Sequence, residues 1–327
     1  MVSRSWSKLP LKGRVVLAFA AVYLIWGSTY LAIRFAIETM PPYPMGGLRF
    51  LIAGGLLYGV LRLRGAPRPS RTEWKATAIV GGLLLFGGNG SVILAEKLVP
   101  SGLAAVIIAM VPIWMVLLNW RWGDRARPNL RVAAGLLLGV FGLILLSAPD
   151  ASTGSDGINP LGVGILVLAS LSWSIGSLYS RRAAMPANPL MSTAMEMLAG
   201  GVLMMLAGVL TGQTGEVQLA ALSIRSLAAL AYLIVFGSLV AFSAYVWLLQ
   251  VSTPARVATY AFVNPVVAVF LGWALAGEPL TPRVLMVAAA IVIAVILITT
   301  QASRPPANPQ PIAPPREKLE PQLAEST

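Results

Sequence analysis

The chain has 327 residues, 57% of them hydrophobic and only 11% charged, with a mean hydropathy of +0.78; a soluble globular chain is about 25% charged, which excludes water as its main solvent. Cysteine and histidine are both absent, so disulfides, thiolate nucleophiles and histidine metal ligands or proton shuttles are excluded together. The net charge of +12 sits in short runs between apolar stretches and forms no continuous basic face, which reads as a membrane-topology signal and not as a nucleic-acid surface.

A hydrocarbon core of roughly 30 Å needs about 20 apolar residues per helix. In chain order the sequence predicts ten such helices, over 15–33, 44–61, 74–95, 101–120, 130–148, 160–180, 189–210, 227–249, 255–276 and 281–300. The first follows Lys8, Lys12 and Arg14 as a secretory signal would. Cleavage after the Ala18-Phe19-Ala20 stretch would leave only a few apolar residues, so a retained helix is expected. After the tenth, 302–327 is proline-rich and has no apolar run, and it is expected to be disordered.

Lys and Arg set the expected orientation. Cations cluster before helix 1, at Arg62, Arg64, Arg68, Arg71 and Lys75, at Arg121, Arg125, Arg127 and Arg131, and at Arg181 and Arg182. The opposite loops hold Arg34, Lys97, Arg225 and Arg283, while Arg49 lies within helix 2. The positive-inside rule then places both termini in the cytoplasm.

The two halves repeat. Trp26 to Arg34 (WGSTYLAIR) aligns with Trp173 to Arg181 (WSIGSLYSR), and Pro44 and Pro189 each open the next helix. Val111-Pro112 and Trp120 align with Asn264-Pro265 and Trp273, and Arg131-Val132 with Arg283-Val284. Five helices per copy is an odd number, so the second copy enters the membrane from the opposite side. The expected fold is all-α and integral to the membrane, with ten transmembrane helices as two inverted five-helix repeats. In transporters such inversion places a substrate site near the midplane, between the halves. Expected boundaries are a cytoplasmic segment at 1–14, a first repeat at 15–148, an outside loop at 149–159, a second repeat at 160–301 and the tail at 302–327.

Trp26-Gly27-Ser28-Thr29, the stretch from Asn89-Gly90 to Ala95-Glu96, the run from Pro100-Ser101-Gly102 to Pro112, and Tyr260 to Asn264-Pro265 with Gly277-Glu278 resemble the EamA-type drug/metabolite transporter superfamily. The first copy departs from the second in reading Gly123-Asp124. The resemblance spans nearly all of 15–300. It implies export of small metabolites, amino acids or drugs at a bacterial inner membrane, through a central cavity formed by helices 1, 3, 4, 6, 8 and 9.

Individual residues carry two readings each. Glu196, within helix 7, would cost ~2.5 kcal/mol or more as a bare charge; it is a structural ion-pair member or a coupling group. Its repeat equivalent is Arg49, which inverted geometry places toward the opposite face. Glu96, beside Lys97 and Pro100, is expected to be a solvated interfacial carboxylate, and becomes a proton or cationic-substrate ligand if it turns inward. Asn89 and Asn264 are intramembrane amides, explained either by interhelical hydrogen bonds or by cargo contact. Pro265 frees a carbonyl one turn back, and Pro112 does the same, so both helices are expected to break there and line a cavity. Trp6, Trp74, Trp120 and Trp122 fit an interfacial belt, whereas Trp26, Trp173, Tyr179, Tyr245 and Tyr260 offer an aromatic lining. Gly135, Gly139 and Ala199-Gly200-Gly201 read as packing surfaces.

The chain therefore reads as a secondary transporter, with Trp26, Asn89, Trp173, Tyr245, Tyr260 and Asn264 contacting cargo and Glu96, Glu196 and Arg49 serving coupling or gating. Its partners would be a small-molecule substrate and the lipid bilayer, with coupling to a proton or another ion left open. No cofactor or metal is expected. No Gly-x-x-x-x-Gly-Lys-Ser/Thr sequence occurs to bind ATP phosphates. A passive channel is the alternative, and an intramembrane enzyme is disfavoured by the missing His, Cys and metal-ligand clusters.

Overall fold

The computed structural model describes residues 9–99, 104, 107–122, 129–147 and 159–276, together with 286, 289–290, 293–294 and 297. The tail, most of 281–300, Trp6, Gly277-Glu278 and all but the last residue of 149–159 lie outside the described residues. So do Pro100, Ser101, Gly102, Gly123 and Asp124.

Nine helices organise the described residues, among which there is no strand: α1 (Leu11–Ala36), α2 (Pro42–Leu63), α3 (Arg71–Ala95), α4 (Val111–Trp122), α5 (Leu130–Ser147), α6 (Pro160–Ser180), α7 (Pro189–Leu210), α8 (Ile224–Val251) and α9 (Tyr260–Ala276). Six of them, α1, α2, α3, α6, α7 and α8, are long and apolar enough to cross a membrane. Local chemistry fixes where they begin. Asn159 and Asn188 accept backbone N–H bonds at the starts of α6 and α7, each followed by a proline whose missing N–H costs nothing there. Ser70 and Glu73 form a reciprocal capping box that opens α3. Leu24, Leu56, Phe141, Leu168, Leu206 and Phe270 point outward. Such an apolar exterior suits lipid and would be a liability in water.

Two features depart from the uniform α-helices that periodicity suggests. The middle of α3, Gly82–Gly90, and the middle of α8, Leu233–Phe242, are π-helical, and these are corresponding helices of the two halves. The helix expected over 255–276 is interrupted: a single turn, Pro254–Val257, ends at Ala258–Thr259 before α9 begins. Pro265 was expected to mark the break, yet α9 runs through it. The helix expected over 101–120 is likewise broken by a turn at Ala109–Met110, just ahead of Pro112.

The frame is held by close backbone approach. Along α2 and α7, Gly54 lies against Ala194 and Leu198, Leu51 against Gly201, and Gly47 against Met205, so numbers rise on one helix as they fall on the other and the pair is antiparallel. A Cβ on Gly201 would stand 2.9 Å from Leu51 N, and one on Gly81 of α3 only 2.3 Å from the Glu196 carbonyl oxygen. In lipid no hydrophobic force drives helices together, and this kind of contact replaces it. Gly81→Val should therefore cost about 1–3 kcal/mol through overpacking and lower the unfolding temperature in detergent. Gly55→Ala, at a glycine with nothing within 4 Å, should leave that temperature unchanged or raise it.

Candidate functional site

The seam between the halves is aromatic. The rings of Trp26 (α1) and Trp173 (α6), repeat equivalents in sequence, meet edge to face with centroids 5.5 Å apart. Tyr245 of α8 packs 5.0 Å from Trp26 and 5.4 Å from Trp173. Tyr260 of α9 stands 5.0 Å from Trp26 and 5.6 Å from Tyr245. Hydrogen bonds fix this quartet. Trp173 Nε1 donates to the Tyr245 hydroxyl at 2.8 Å, the same hydroxyl lies 2.6 Å from Ser177 Oγ, and Trp26 Nε1 donates to the Gly237 carbonyl at 3.2 Å. Gly237 belongs to the π segment of α8, which is where that wide turn enters the site. On the N-terminal side of α1, the Tyr23 hydroxyl and Thr259 Oγ1 are 2.5 Å apart, joining α1 to the turn before α9.

On the other side of the quartet lies a cavity of about 550 Å³, counting the space at its mouth. Its wall includes Trp26, Asn89, Trp173, Tyr260 and Asn264, as well as Arg49. Five of the six expected cargo contacts are thus brought together around one space. Tyr245, fully buried, lies beneath the wall as part of the floor. Helix α8 consequently reaches the cavity through its floor, and α2, outside the expected set of lining helices, contributes Arg49.

Asn264 places its amide between two carbonyls, donating to Tyr23 O at 3.2 Å and Tyr260 O at 3.1 Å in the orientation that satisfies both. It ties α9 to α1 while presenting one edge to the cavity. Arg49 donates from Nε to Ser238 Oγ of α8 at 2.9 Å and makes no ion pair with Glu196. Glu196 is fully buried behind the floor with both carboxylate oxygens unpartnered among the described residues, and the Tyr245 hydroxyl is within its electrostatic reach. Glu96 corrects the expectation of a solvated carboxylate. It turns inward just beyond α3, its two oxygens buried and without hydrogen-bond partners among the described residues, and Arg34 is within electrostatic reach. Tyr179 does not join the aromatic site; it lines a separate recess with Asn119, Trp122, Arg181 and Arg182. Trp74, Trp120 and Trp122 are exposed, as interfacial residues would be.

Sequence reading missed Thr29, Tyr30, Val92 and Ala169, which also line the cavity. Helical spacing could have found them: Tyr30 lies four residues after Trp26, Val92 three after Asn89 and Ala169 four before Trp173, each on the same helix face as its partner. The π segments had no signal beyond their glycines.

The EamA-like transporter family matches twice, over residues 13–148 and 160–300. A protein of Escherichia coli (strain K12) named "Uncharacterized inner membrane transporter YedA" is 41% identical over 303 residues, covering 92% of this chain and 94% of its own length. The "Uncharacterized transporter YvbV" of Bacillus subtilis (strain 168) is 28% identical, covering 89% and 93%. A crystal structure 22% identical in sequence superposes with a TM-score of 0.69 over 87% of this chain and 96% of its own, which speaks to the fold.

Tyr245→Phe removes the hydroxyl shared by Trp173 Nε1 and Ser177 Oγ and leaves a buried indole N–H unpaired. The expected loss is about 1–3 kcal/mol, read as a lower unfolding temperature together with a shifted tryptophan emission.

Proposed function

The chain belongs to the EamA-like transporter family, and from that premise we propose that it carries a small solute across a bacterial inner membrane by alternating access, as a secondary transporter of ten transmembrane helices in two inverted halves. The observation that carries this reading is the cavity at the seam, closed on one side by the Trp26–Trp173–Tyr245–Tyr260 quartet. A space that reaches one side of a floor and stops is what a carrier needs in one of its two states; a channel needs a continuous path. Inversion of the halves is supported by the antiparallel packing of α2 and α7, by Trp26 meeting Trp173, and by π segments in both third helices of the repeats. The family matches reach residue 300, which supports a tenth helix beyond α9.

With the N terminus cytoplasmic, the cavity faces outward and the quartet is the inner gate. Trp26, Asn89, Trp173, Tyr260 and Asn264 then contact cargo, and Tyr245 holds the floor. Glu196, behind that floor, and Glu96, beside Arg34 at the far end, are carboxyls able to exchange a proton as the gates alternate.

Counterflow in proteoliposomes tests the mechanism. Amino acids, organic acids and cationic drugs are screened, and at least one solute should show saturable uptake accelerated by unlabelled solute inside; flux that never saturates would replace the carrier with a channel. Trp26→Ala and Trp173→Ala should each lower the carrier flux more than tenfold in protein that folds. The chain has no cysteine, so single cysteines report access directly. Ile33→Cys and Val92→Cys should react with an impermeant thiosulfonate added to intact cells, and Tyr179→Cys only in inverted vesicles. The opposite pattern would reverse the orientation.

A further inference from the structure

The polar groups of the cavity are unequally satisfied. Trp26 Nε1, the Tyr245 hydroxyl and the amide of Asn264 all have protein partners. Two buried side-chain atoms of wall residues, Arg49 Nη1 and Asn89 Oδ1, have no hydrogen-bond partner among the described residues. Arg49 is 2% exposed. Its Nε is bonded to Ser238 Oγ, its guanidinium carbon stands 4.7 Å from the centre of the Phe50 ring, and it forms no ion pair among the described residues.

A guanidinium keeps its charge in any environment a protein offers, and it presents N–H donors in a fixed fork matched to a carboxylate. Burying such a charge with one serine hydroxyl as its bonded partner is costly. An ionisable side chain at membrane depth that faces a cavity is the usual mark of a bound partner of opposite charge. The two buried carboxyls do not serve: neither Glu196 nor Glu96 forms an ion pair with Arg49 among the described residues. Most of the rest of the wall is apolar or aromatic, including the rings of Trp26, Tyr30, Trp173 and Tyr260 and the side chains of Ile33 and Val92. Asn89 Oδ1 is an acceptor waiting for a donor.

We propose that the cargo is a small organic carboxylate with an apolar or aromatic body: its carboxylate pairs with the free arm of Arg49, its body packs among the aromatic rings, and a hydrogen-bond donor on it, where present, meets Asn89 Oδ1. This assignment rests on the cavity being the cargo site. It assigns Arg49 to cargo recognition and leaves coupling to the glutamates.

The test is equilibrium binding to the purified full-length chain in detergent at pH 7, followed by tryptophan fluorescence and by the shift in unfolding temperature. Four probes share one ring: phenylacetate, phenylalanine, phenylalanine amide and phenethylamine. The two carboxylates should bind at least tenfold more tightly than the two cations. Arg49→Gln should weaken both carboxylates at least tenfold, with Arg49→Lys intermediate, and Asn89→Ala should weaken phenylalanine while sparing phenylacetate, which has no donor. Cations binding as well as carboxylates, no carboxylate binding at all, or an Arg49→Gln protein with unchanged affinity each overturns the proposal; the first two need only the wild-type chain. Failure of the cavity reading has a different signature, in which whichever probe binds is indifferent to both Trp26→Ala and Trp173→Ala.

Discussion

Everything at the centre of this molecule depends on how closely α2 and α7 approach each other. In lipid, the tails outside are as apolar as the leucines inside, so helices gain nothing from hiding apolar surface and must find their attraction in contact. Glycines supply it here. Gly54 and Gly201 let the two backbones come to within a Cβ's breadth, and Gly81 lets α3 lie on the Glu196 carbonyl. With those three helices fixed, Arg49 on α2 reaches Ser238 on α8, Asn89 on α3 shares the cavity wall with Ala169 and Trp173 of α6, and the space between becomes a cavity with a defined wall.

Much of this was legible in the sequence, for reasons that can be named. The six longest helices follow from apolar length alone, because a bilayer imposes a length that water does not. The repeat picked out Trp26 and Trp173, and a residue pair related by the symmetry between halves is apt to meet where the halves meet. Asn264 was legible as a polar group at membrane depth, and its two carbonyl partners explain its cost. Glu96 was misread because its neighbours Lys97 and Pro100 suggest an interface; which way a side chain turns at a helix end is decided by the packing of other helices. The proline breaks were displaced for a related reason. A proline loosens the turn before it, but whether the chain breaks there or a few residues earlier depends on what that turn packs against, and in α9 the backbone yields at Ala258–Thr259.

Polar groups divide the interior by function. The indole and hydroxyl groups of Trp26, Trp173 and Tyr245 in the floor are bonded: Trp173, Tyr245 and Ser177 share hydrogen bonds, and Trp26 uses a backbone carbonyl. Such a network is rigid because every member loses a partner if any one moves. The wall above it and the pocket behind it are not saturated, with Arg49, Asn89, Glu96 and Glu196 all retaining bare atoms. A bonded floor and unsatisfied flanks suit the proposed carrier: the floor's hydrogen bonds hold one closed state and are given up together when the gate opens, while the flanks keep groups whose partners come and go.

The π segments in α3 and α8 give the frame one further property. A stretch of wide turns holds about one residue more than an α-helix of the same rise, so the residues beyond it are advanced by about 100° around the axis relative to an uninterrupted helix. Ser91–Ala95 and Ser243–Val251 therefore present faces that straight α-helical counting from Arg71 or Ile224 would assign to their neighbours. Each helix carries a stored residue, like slack wound onto a spool. Deleting one residue within Gly82–Gly90 or Leu233–Phe242 would be absorbed by tightening the turns to α geometry, leaving the helix whole and its far end still turning the same side chains to the seam.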